Sequence, residues 1–256
     1  MAITIALSLV PIALTSTKAP SSADGNVKID PRPLYRQSPF GVVAAFLSGA
    51  TTGAFFALGP VFAQARDLDT GEIALFMSSG TLGGFAMALP LGWLSDRMDR
   101  RLVIIAAAVT AAAMLLIMVA TVPHGAYAWV LYLCVAIFGA TVVPLYSIIL
   151  AQVSDVVSND ELVAASGGLL LLQGTGATVG PVVAGLAMSA SPRGLTYTLV
   201  AAQILIALWG FYTLLLRRAV SVPTQKTKFQ VEPPVPVATT LASAHATQVR
   251  SSKSRR

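Results

Sequence analysis

The stretch "GWLSDRMDRR", residues Gly92 to Arg101, decides the fold class because it places five charges in six positions between two long apolar runs. Apolar side chains dominate the residues before it, and "LVIIAAAVTAAAMLLIMVA" follows it. Two apolar runs of membrane-crossing length joined by a short charged turn are typical of a helical hairpin in a membrane protein.

The composition of the whole chain supports this interpretation. Of its 256 residues, 55% are hydrophobic and 11% are charged, and the mean hydropathy is +0.74. Soluble domains carry about 25% charged residues. The chain is therefore predicted to be an integral membrane protein with the lipid bilayer as its partner. The net charge of +6 does not indicate nucleic-acid binding, because the basic residues lie just outside the apolar segments.

Six apolar segments reach the roughly 20 residues that a helix needs to cross the hydrocarbon core. A shorter apolar piece, "MAITIALSLVPIAL", covers residues 1–14. It lacks a basic n-region, so we interpret it as a partial transmembrane helix rather than a signal peptide. The six full-length segments are Phe40–Ala63, Ile73–Leu94, Leu102–Val122, Tyr127–Ala151, Leu162–Ser189 and Leu195–Leu216.

The distribution of Lys and Arg predicts the orientation in the membrane. Alternate sides of the segments hold fifteen and two basic residues, and the two are Arg66 and Arg193. By the positive-inside rule, the Gly92–Arg101 loop, the linker 15–38 and the tail 217–256 are cytoplasmic. The tail is rich in Pro, Thr, Ser and Ala, and we expect it to be disordered.

Two helix starts carry the spacing of a capping box. In "DTGE", Asp69 precedes Glu72 by three residues, and in "SNDE", Ser158 precedes Glu161 by three. In this arrangement each side chain accepts a hydrogen bond from the other residue's main-chain amide. We therefore predict that Asp69 and Ser158 cap the helices that follow them.

The charged loop also carries a family signature. Gly-x-x-x-Asp-Arg-x-Gly-Arg-Arg/Lys joins the second and third helices of each half of a major facilitator superfamily transporter. The loop of this chain resembles it and has the same position among the full-length segments. Asp99 stands where the family more often has Gly. The matching residues are Gly92, Asp96, Arg97, Arg100 and Arg101.

This resemblance implies an all-α integral membrane fold. It makes 39–216 the six-helix C-terminal bundle, helices seven to twelve, with 1–14 the remnant of helix six and 15–38 the central linker. The implied function is secondary active transport of a small molecule by alternating access, in the bacterial inner membrane. In the family, the loop is a latch that holds the cytoplasmic side shut in one conformation.

The residue types in the loop suit that role. Gly92 lets the end of its helix approach a neighbour closely. Asp96 can cap the next helix or face the positive end of a helix dipole. The three arginines can pair with acidic side chains and with phosphate headgroups.

Small residues recur along the segment "GTGATVGPVVAG". Helices of this kind pack backbone to backbone, and a proline can bend them. The segment resembles the Gly-x-x-x-Gly-Pro pattern of major facilitator helices between the two halves. With "PLYSIILAQVSD", the stretch "NDELVAASGGLLLLQGTGATVGP" resembles the YcaD-type group of that superfamily. The residues concerned are Gly174, Gly176, Gly180, Pro181 and Gly185.

No ionisable residue lies well inside the segments, so a substrate would meet uncharged polar side chains. This favours an apolar or amphiphilic substrate. A buried glutamine or threonine more often hydrogen-bonds a neighbouring helix than a ligand, and that alternative remains open for each candidate. The candidate substrate-facing residues are Gln173, Tyr146, Ser79 and Gln203.

Several other functions are disfavoured. No Ser/His, paired-Asp or His-rich pattern lies at membrane depth, so we predict no catalytic residues, no enzyme activity and no cofactor. With His124, His245 and one cysteine, Cys134, no metal site is predicted. A retinal receptor would need a lysine in the last segment, which has none. Two alternatives stay open: a truncated, non-transporting remnant, or a half-transporter that needs a missing N-terminal half or a homodimer.

Overall fold

The computed structural model describes residues 31–121, 128–158 and 161–217. The described residues form helices joined by short turns, without a β-strand. The predicted partial helix 1–14, the first part of the linker and the predicted tail after Arg217 lie outside the described residues. The helices are α1 (Pro31–Gln37), α2 (Pro39–Gln64), α3 (Thr70–Arg97), α4 (Arg100–Thr121), α5 (Ala128–Val142), α6 (Leu145–Ser154), α7 (Leu162–Ala190) and α8 (Gly194–Arg217).

Six of the described helical stretches are long and apolar enough to cross a membrane. They are α2, α3, α4, the α5–α6 pair, α7 and α8. Each corresponds to one of the six predicted segments, so the all-α membrane fold class is confirmed. Helix α1 lies within the stretch predicted as a linker, and its Leu34 is buried in the core.

The fourth span differs from the prediction. The sequence pattern predicts one continuous helix over Tyr127–Ala151, but α5 ends at Val142 and α6 begins at Leu145. Pro144 is the N-cap of α6. A proline has no N–H to donate, and its ring clashes with the carbonyl one turn earlier. The chain therefore turns at Val143 and Pro144 before the span continues.

One of the two predicted capping boxes is confirmed. The Glu72 main-chain N–H donates to Asp69 Oδ1 at 2.8 Å, and the Asp69 N–H donates to Glu72 Oε2 at 2.9 Å. The predicted cap at Ser158 is wrong. Helix α7 has Glu161 as its N-cap, without a side-chain capping bond, and the Ser158 hydroxyl donates to the Glu161 carboxylate at 3.2 Å.

The buried apolar side chains form two clusters along the bundle. One contains Phe40, Ile104, Ile149 and Ile206 and lies towards the end that carries the Gly92–Arg101 loop. The other is rich in phenylalanine, and the Phe55 ring centroid lies 5.2 Å from that of Phe138. Both clusters join side chains from α2, α4, the α5–α6 pair and α8. Helices α3 and α7 contribute fewer residues, Leu91 and Phe76 from α3 and Ala165, Leu169 and Ala184 from α7, so the clusters hold all the spans together.

Glycines bring two helix pairs into backbone contact. On α2 and α7, a Cβ at Gly49 would overlap the main-chain oxygen of Gln173, and a Cβ at Gly180 would overlap that of Ala50. On α3 and α5, a Cβ at Gly139 would overlap the oxygen of Gly80. These two pairs, α2 with α7 and α3 with α5, make the most extensive helix contacts in the bundle.

Candidate functional site: a charged loop and two exposed helix faces

The loop between α3 and α4 consists of two residues, Met98 and Asp99. Asp99 Oδ1 accepts a hydrogen bond from the Arg101 main-chain N–H at 2.9 Å. The start of α4 is therefore capped by Asp99, a role that was one of the two alternatives expected for Asp96. A carboxylate at this position also interacts favourably with the helix dipole.

Arg100 is the centre of the loop's ion pairs. Its Nη2 lies 2.9 Å from Asp96 Oδ1, one turn earlier in the chain. Its Nε lies 2.8 Å from Asp155 Oδ2, just after the end of α6. The Arg100 side chain is 22% exposed, so protein atoms cover most of it. This single guanidinium therefore ties the α3–α4 hairpin to the end of α6.

Asp155 was missed by the sequence analysis. It follows "AQVS" at the end of the fourth span, outside the charged motif. A lone acidic residue at a helix end ordinarily indicates contact with solvent. Its pairing with Arg100 depends on how α4 and α6 pack, and the linear sequence does not contain that information.

Arg97 and Gly92 lie in the last two turns of α3, where Arg97 is exposed and Gly92 is half-buried. The Arg97 guanidinium carbon lies 3.6 Å from the centroid of the Trp93 ring, a cation–π contact at an exposed position. At Gly92, an added Cβ would have no atom of the described chain within 4 Å. The close helix approach expected at Gly92 is therefore not made within the described bundle.

The opposite end of the bundle carries Arg66 and Arg193. The Arg66 guanidinium lies over the Phe62 ring, 4.7 Å from its centroid. Burial, with a smaller contribution from the nearby Arg193 charge, lowers the pKa of Arg66. The two basic residues predicted to lie on the sparsely charged side of the membrane are therefore close to each other.

The glycine-rich segment of α7 has two different faces. Gly176 and Gly180 are buried against main-chain atoms of α2. Gly174 and Gly185 face open space, with no atom of the described chain within 4 Å of an added Cβ. Pro181 lies inside the uninterrupted helix α7. Backbone-to-backbone packing is therefore limited to one side of the segment.

One of the four candidate polar residues is buried, and the other three are partly exposed. Gln203 is fully buried, and its Nε2 donates to Thr51 Oγ1 at 3.2 Å, so it joins α8 to α2 rather than facing an open surface. Gln173, Tyr146 and Ser79 are partly exposed. The Ser79 hydroxyl donates to the Phe76 carbonyl of its own helix at 2.8 Å. The structure does not bring these residues together into one cluster.

Helices α3 and α7 are the most exposed spans of the bundle. In the 18-residue apolar stretch of each span, 17% of the residues of α3 and 22% of those of α7 are buried inside the bundle, against 33% to 56% in the other spans. The same two spans are also the least apolar of the six. If the exposed surface of a span faced only lipid, the most exposed spans should be the most apolar, because each unsatisfied polar group in hydrocarbon is costly.

The exposed positions near the middle of the spans show this difference. On α4 and α8 they hold side chains such as Val109, Leu116 and Leu205. On α3, α6 and α7 the exposed positions also include polar residues, beside apolar ones such as Leu82 and Phe85 of α3. We call this set the polar faces, namely Ser78 on α3, Ser147 on α6, and Thr175 and Thr178 on α7.

Within the described ranges, no group of three or more His, Cys, Asp or Glu side chains is placed to hold a metal ion. Cys134 is a buried free thiol in the phenylalanine-rich cluster.

Comparisons with known proteins agree with this architecture. The sequence profile described as "Major Facilitator Superfamily" matches residues 39–253. A protein named "Uncharacterized MFS-type transporter YcaD" from Escherichia fergusonii is 29% identical over 184 residues, which are 72% of this chain and 45% of that protein. A protein of the same name from Salmonella heidelberg is 27% identical over 82% of this chain and 50% of its own length.

A further uncharacterized MFS-type transporter, from an Enterobacter species, is 28% identical over 74% of this chain and 47% of its own length. The chain thus spans about half the length of the curated relatives it matches. The profile match covers all six spans and the charged loop. The chain belongs to the major facilitator superfamily, as a multi-pass membrane protein similar to its YcaD-type transporters.

Proposed function

We propose that this bundle is one half of a secondary transporter that moves an apolar or amphiphilic small molecule by alternating access. The membrane is the bacterial inner membrane, and the Gly92–Arg101 loop and the C-terminus are cytoplasmic, as the positive-inside rule requires. The observation that carries the proposal is that the two most exposed spans, α3 and α7, are also the two least apolar.

The polar faces support a second bundle and a water path. The exposed side chains Val109 and Leu116 of α4 and Leu205 of α8 are apolar, and the one hydroxyl beside them, that of Thr110, donates to the Ala106 carbonyl of its own helix. Ser78 of α3, Ser147 of α6 and Thr178 of α7 are exposed. Transporters of this kind place the substrate near the bilayer midplane, between two halves that rock against each other. The polar faces suit that contact and its water-filled gap.

The ion pairs of Arg100 support a two-state latch. Arg100 joins the hairpin of α3 and α4 to the end of α6. Helices α3 and α6 both carry polar-face residues, so both are proposed to line the substrate path. Breaking the Arg100–Asp155 pair would allow the α3–α4 hairpin to move relative to the end of α6. The pairs are partly exposed, so they are weak enough to break during a transport cycle.

Cysteine accessibility tests the polar faces without knowledge of the substrate. In a Cys134→Ala background, single cysteines replace Ser78, Ser147 and Thr178. Matched controls carry Val109→Cys or Leu205→Cys, which are also exposed in the bundle but apolar. A membrane-impermeant maleimide is applied to native membranes, and the labelled fraction is measured.

The proposal predicts labelling of the polar-face cysteines at least about tenfold faster than of the controls, because thiolates form in water and not in hydrocarbon. Equal labelling of the two sets would remove the difference that the proposal requires. Labelling of neither set would mean that lipid covers both faces. That result would favour the alternative of a remnant that inserts but carries nothing. The mass of the purified assembly then tells a homodimer from a complex with a separate N-terminal half.

A further inference from the structure

Three buried polar side chains lie near the middle of the membrane-spanning region, two on α2 and one on α8. Ser48 and Thr51 lie near the middle of the 26-residue helix α2, and Gln203 lies near the middle of the 24-residue helix α8. Their exposed fractions are 0%, 1% and 0%, respectively. At this depth every polar atom needs a partner, because lipid offers none.

The orientation of the Gln203 carboxamide follows from the hydrogen bonds of Thr51. The Thr51 hydroxyl donates its one proton to the Leu47 carbonyl at 2.9 Å. It can therefore only accept from Gln203, so the carboxamide must present its Nε2, which lies 3.2 Å away. A flipped amide would place Gln203 Oε1 against Thr51 Oγ1, and neither atom would then have a proton to donate. Oε1 is consequently turned away from Thr51, and it has no hydrogen-bond partner among the described residues.

Ser48 supplies the complementary group. The hydroxyl of its neighbour Thr52 donates to the Ser48 carbonyl of the same helix at 2.9 Å. The hydroxyl of Ser48 itself is buried and has no hydrogen-bond partner within the described part of the chain. Ser48 and Thr51 are three residues apart and so lie on the same side of α2. A hydroxyl without an acceptor therefore lies within one helical turn of Thr51, and an amide oxygen without a donor lies on the Gln203 side chain that Thr51 contacts.

Apolar side chains surround this contact. On α8, Leu199 and Val200 belong to the phenylalanine-rich cluster on one side, and Ile206 belongs to the other cluster on the opposite side. Ala44 and Ala45, one turn of α2 before Ser48, are fully buried. These residues offer no polar side chain that could serve either orphaned atom.

We propose that Ser48 and Gln203 hold one buried water molecule, which accepts from Ser48 Oγ and donates to Gln203 Oε1. A water molecule is the smallest group that satisfies both atoms, and buried waters in proteins typically bridge polar groups in this way. Together with the Gln203–Thr51 bond, it forms a polar contact that fixes the register of α8 against α2. This inference concerns the interior of the bundle and does not depend on the proposed transport function.

A double-mutant cycle and a density map test the water site together. Thermal unfolding of the full chain in lipid nanodiscs is followed with a dye that reacts with the buried thiol of Cys134. Ser48→Ala should lower Tm by about 2–4 °C, the shift expected for loss of one net hydrogen bond in a chain of this size. In a Gln203→Met background, Ser48→Ala should shift Tm by less than about a quarter of that amount.

Thr52→Val serves as the control, since its hydroxyl bonds within α2, and its effect should be the same in both backgrounds. A high-resolution map of the wild-type chain should show a density peak within about 3 Å of both atoms, and Ser48→Ala should remove it. Additive Tm shifts would overturn the proposal. A coupled pair without a density peak would mean a direct Ser48–Gln203 bond and would overturn it as well.

Discussion

Replacing Asp155 by asparagine removes the charge that holds Arg100 against the end of α6 while it preserves the side chain's shape. In the wild type, Arg100 Nε lies 2.8 Å from Asp155 Oδ2, and Arg100 Nη2 lies 2.9 Å from Asp96 Oδ1. Asp96→Asn is the matched control, because it removes one charge from the same guanidinium. It does so within one helical turn rather than between helices.

The two substitutions should differ in magnitude. The Asp96 side chain is 66% exposed, and its pair with Arg100 is an i, i+4 pair, worth about 0.3–0.5 kcal/mol. The Asp155 side chain is 48% exposed and meets an arginine that is 22% exposed, so its pair lies near the upper end of the surface range, about 1 kcal/mol. Loss of about 1 kcal/mol corresponds to a roughly fivefold change in the local opening equilibrium, and loss of about 0.3–0.5 kcal/mol corresponds to about twofold for Asp96→Asn.

Hydrogen exchange measured by mass spectrometry reports this opening. The main-chain N–H groups of Val156 and Val157 donate to the Val153 carbonyl at 3.0 and 3.1 Å, and these bonds end α6. Asp155→Asn should raise their exchange rates about fivefold, and 0.5 M NaCl should shrink the difference from wild type because salt screens exposed charges. Equal effects of the two substitutions, or no effect of either, would refute the claim that Arg100 ties the hairpin to α6.

Two further pairs of substitutions compare residues that have the same role by sequence pattern but different surroundings in the structure. Gly176→Ala should destabilise the bundle by about 1–3 kcal/mol, because the new methyl group overlaps the backbone of α2. Gly174→Ala should be neutral or stabilising by up to about 1 kcal/mol, because it faces open space and alanine favours helix. Asp69→Ala should cost about 0.5–2 kcal/mol through loss of a helix cap. Ser158→Ala should stay within about 0.5 kcal/mol, since Ser158 caps no helix. Denaturant unfolding in detergent measures all four, and a reversed order within either pair would contradict the assignment.

The fold could be predicted from the sequence because membrane insertion leaves a signal that needs no tertiary information. Runs of about 20 apolar residues, charged turns and the distribution of Lys and Arg are local features. The break at Pro144 was missed, although a proline inside an apolar run is itself a local signal. The two capping boxes show the limit of spacing arguments. Asp69 and Ser158 have the same spacing to glutamate, yet only Asp69 caps a helix.

The candidate site could be predicted only in outline. The motif located the loop, but the role of each residue in it depends on the direction of its side chain. Asp99 caps α4, and Asp96 pairs with Arg100. Asp155 could not be found, because it meets Arg100 only after α4 and α6 have packed. Gln203 illustrates the same limit, because its burial against Thr51 depends on which face of α8 meets α2.

The measurement that tests the central claim most directly is two-sided labelling of Thr178→Cys in the Cys134→Ala background. Thr178 lies near the middle of the 29-residue helix α7, on an exposed position of the polar faces. An impermeant maleimide is added to right-side-out vesicles in one experiment and to inside-out vesicles in the other. If the bundle is half of an alternating-access transporter, the thiol becomes labelled from both sides, and Asp155→Asn raises the cytoplasmic rate. Labelling from one side alone, or from neither, would contradict the account.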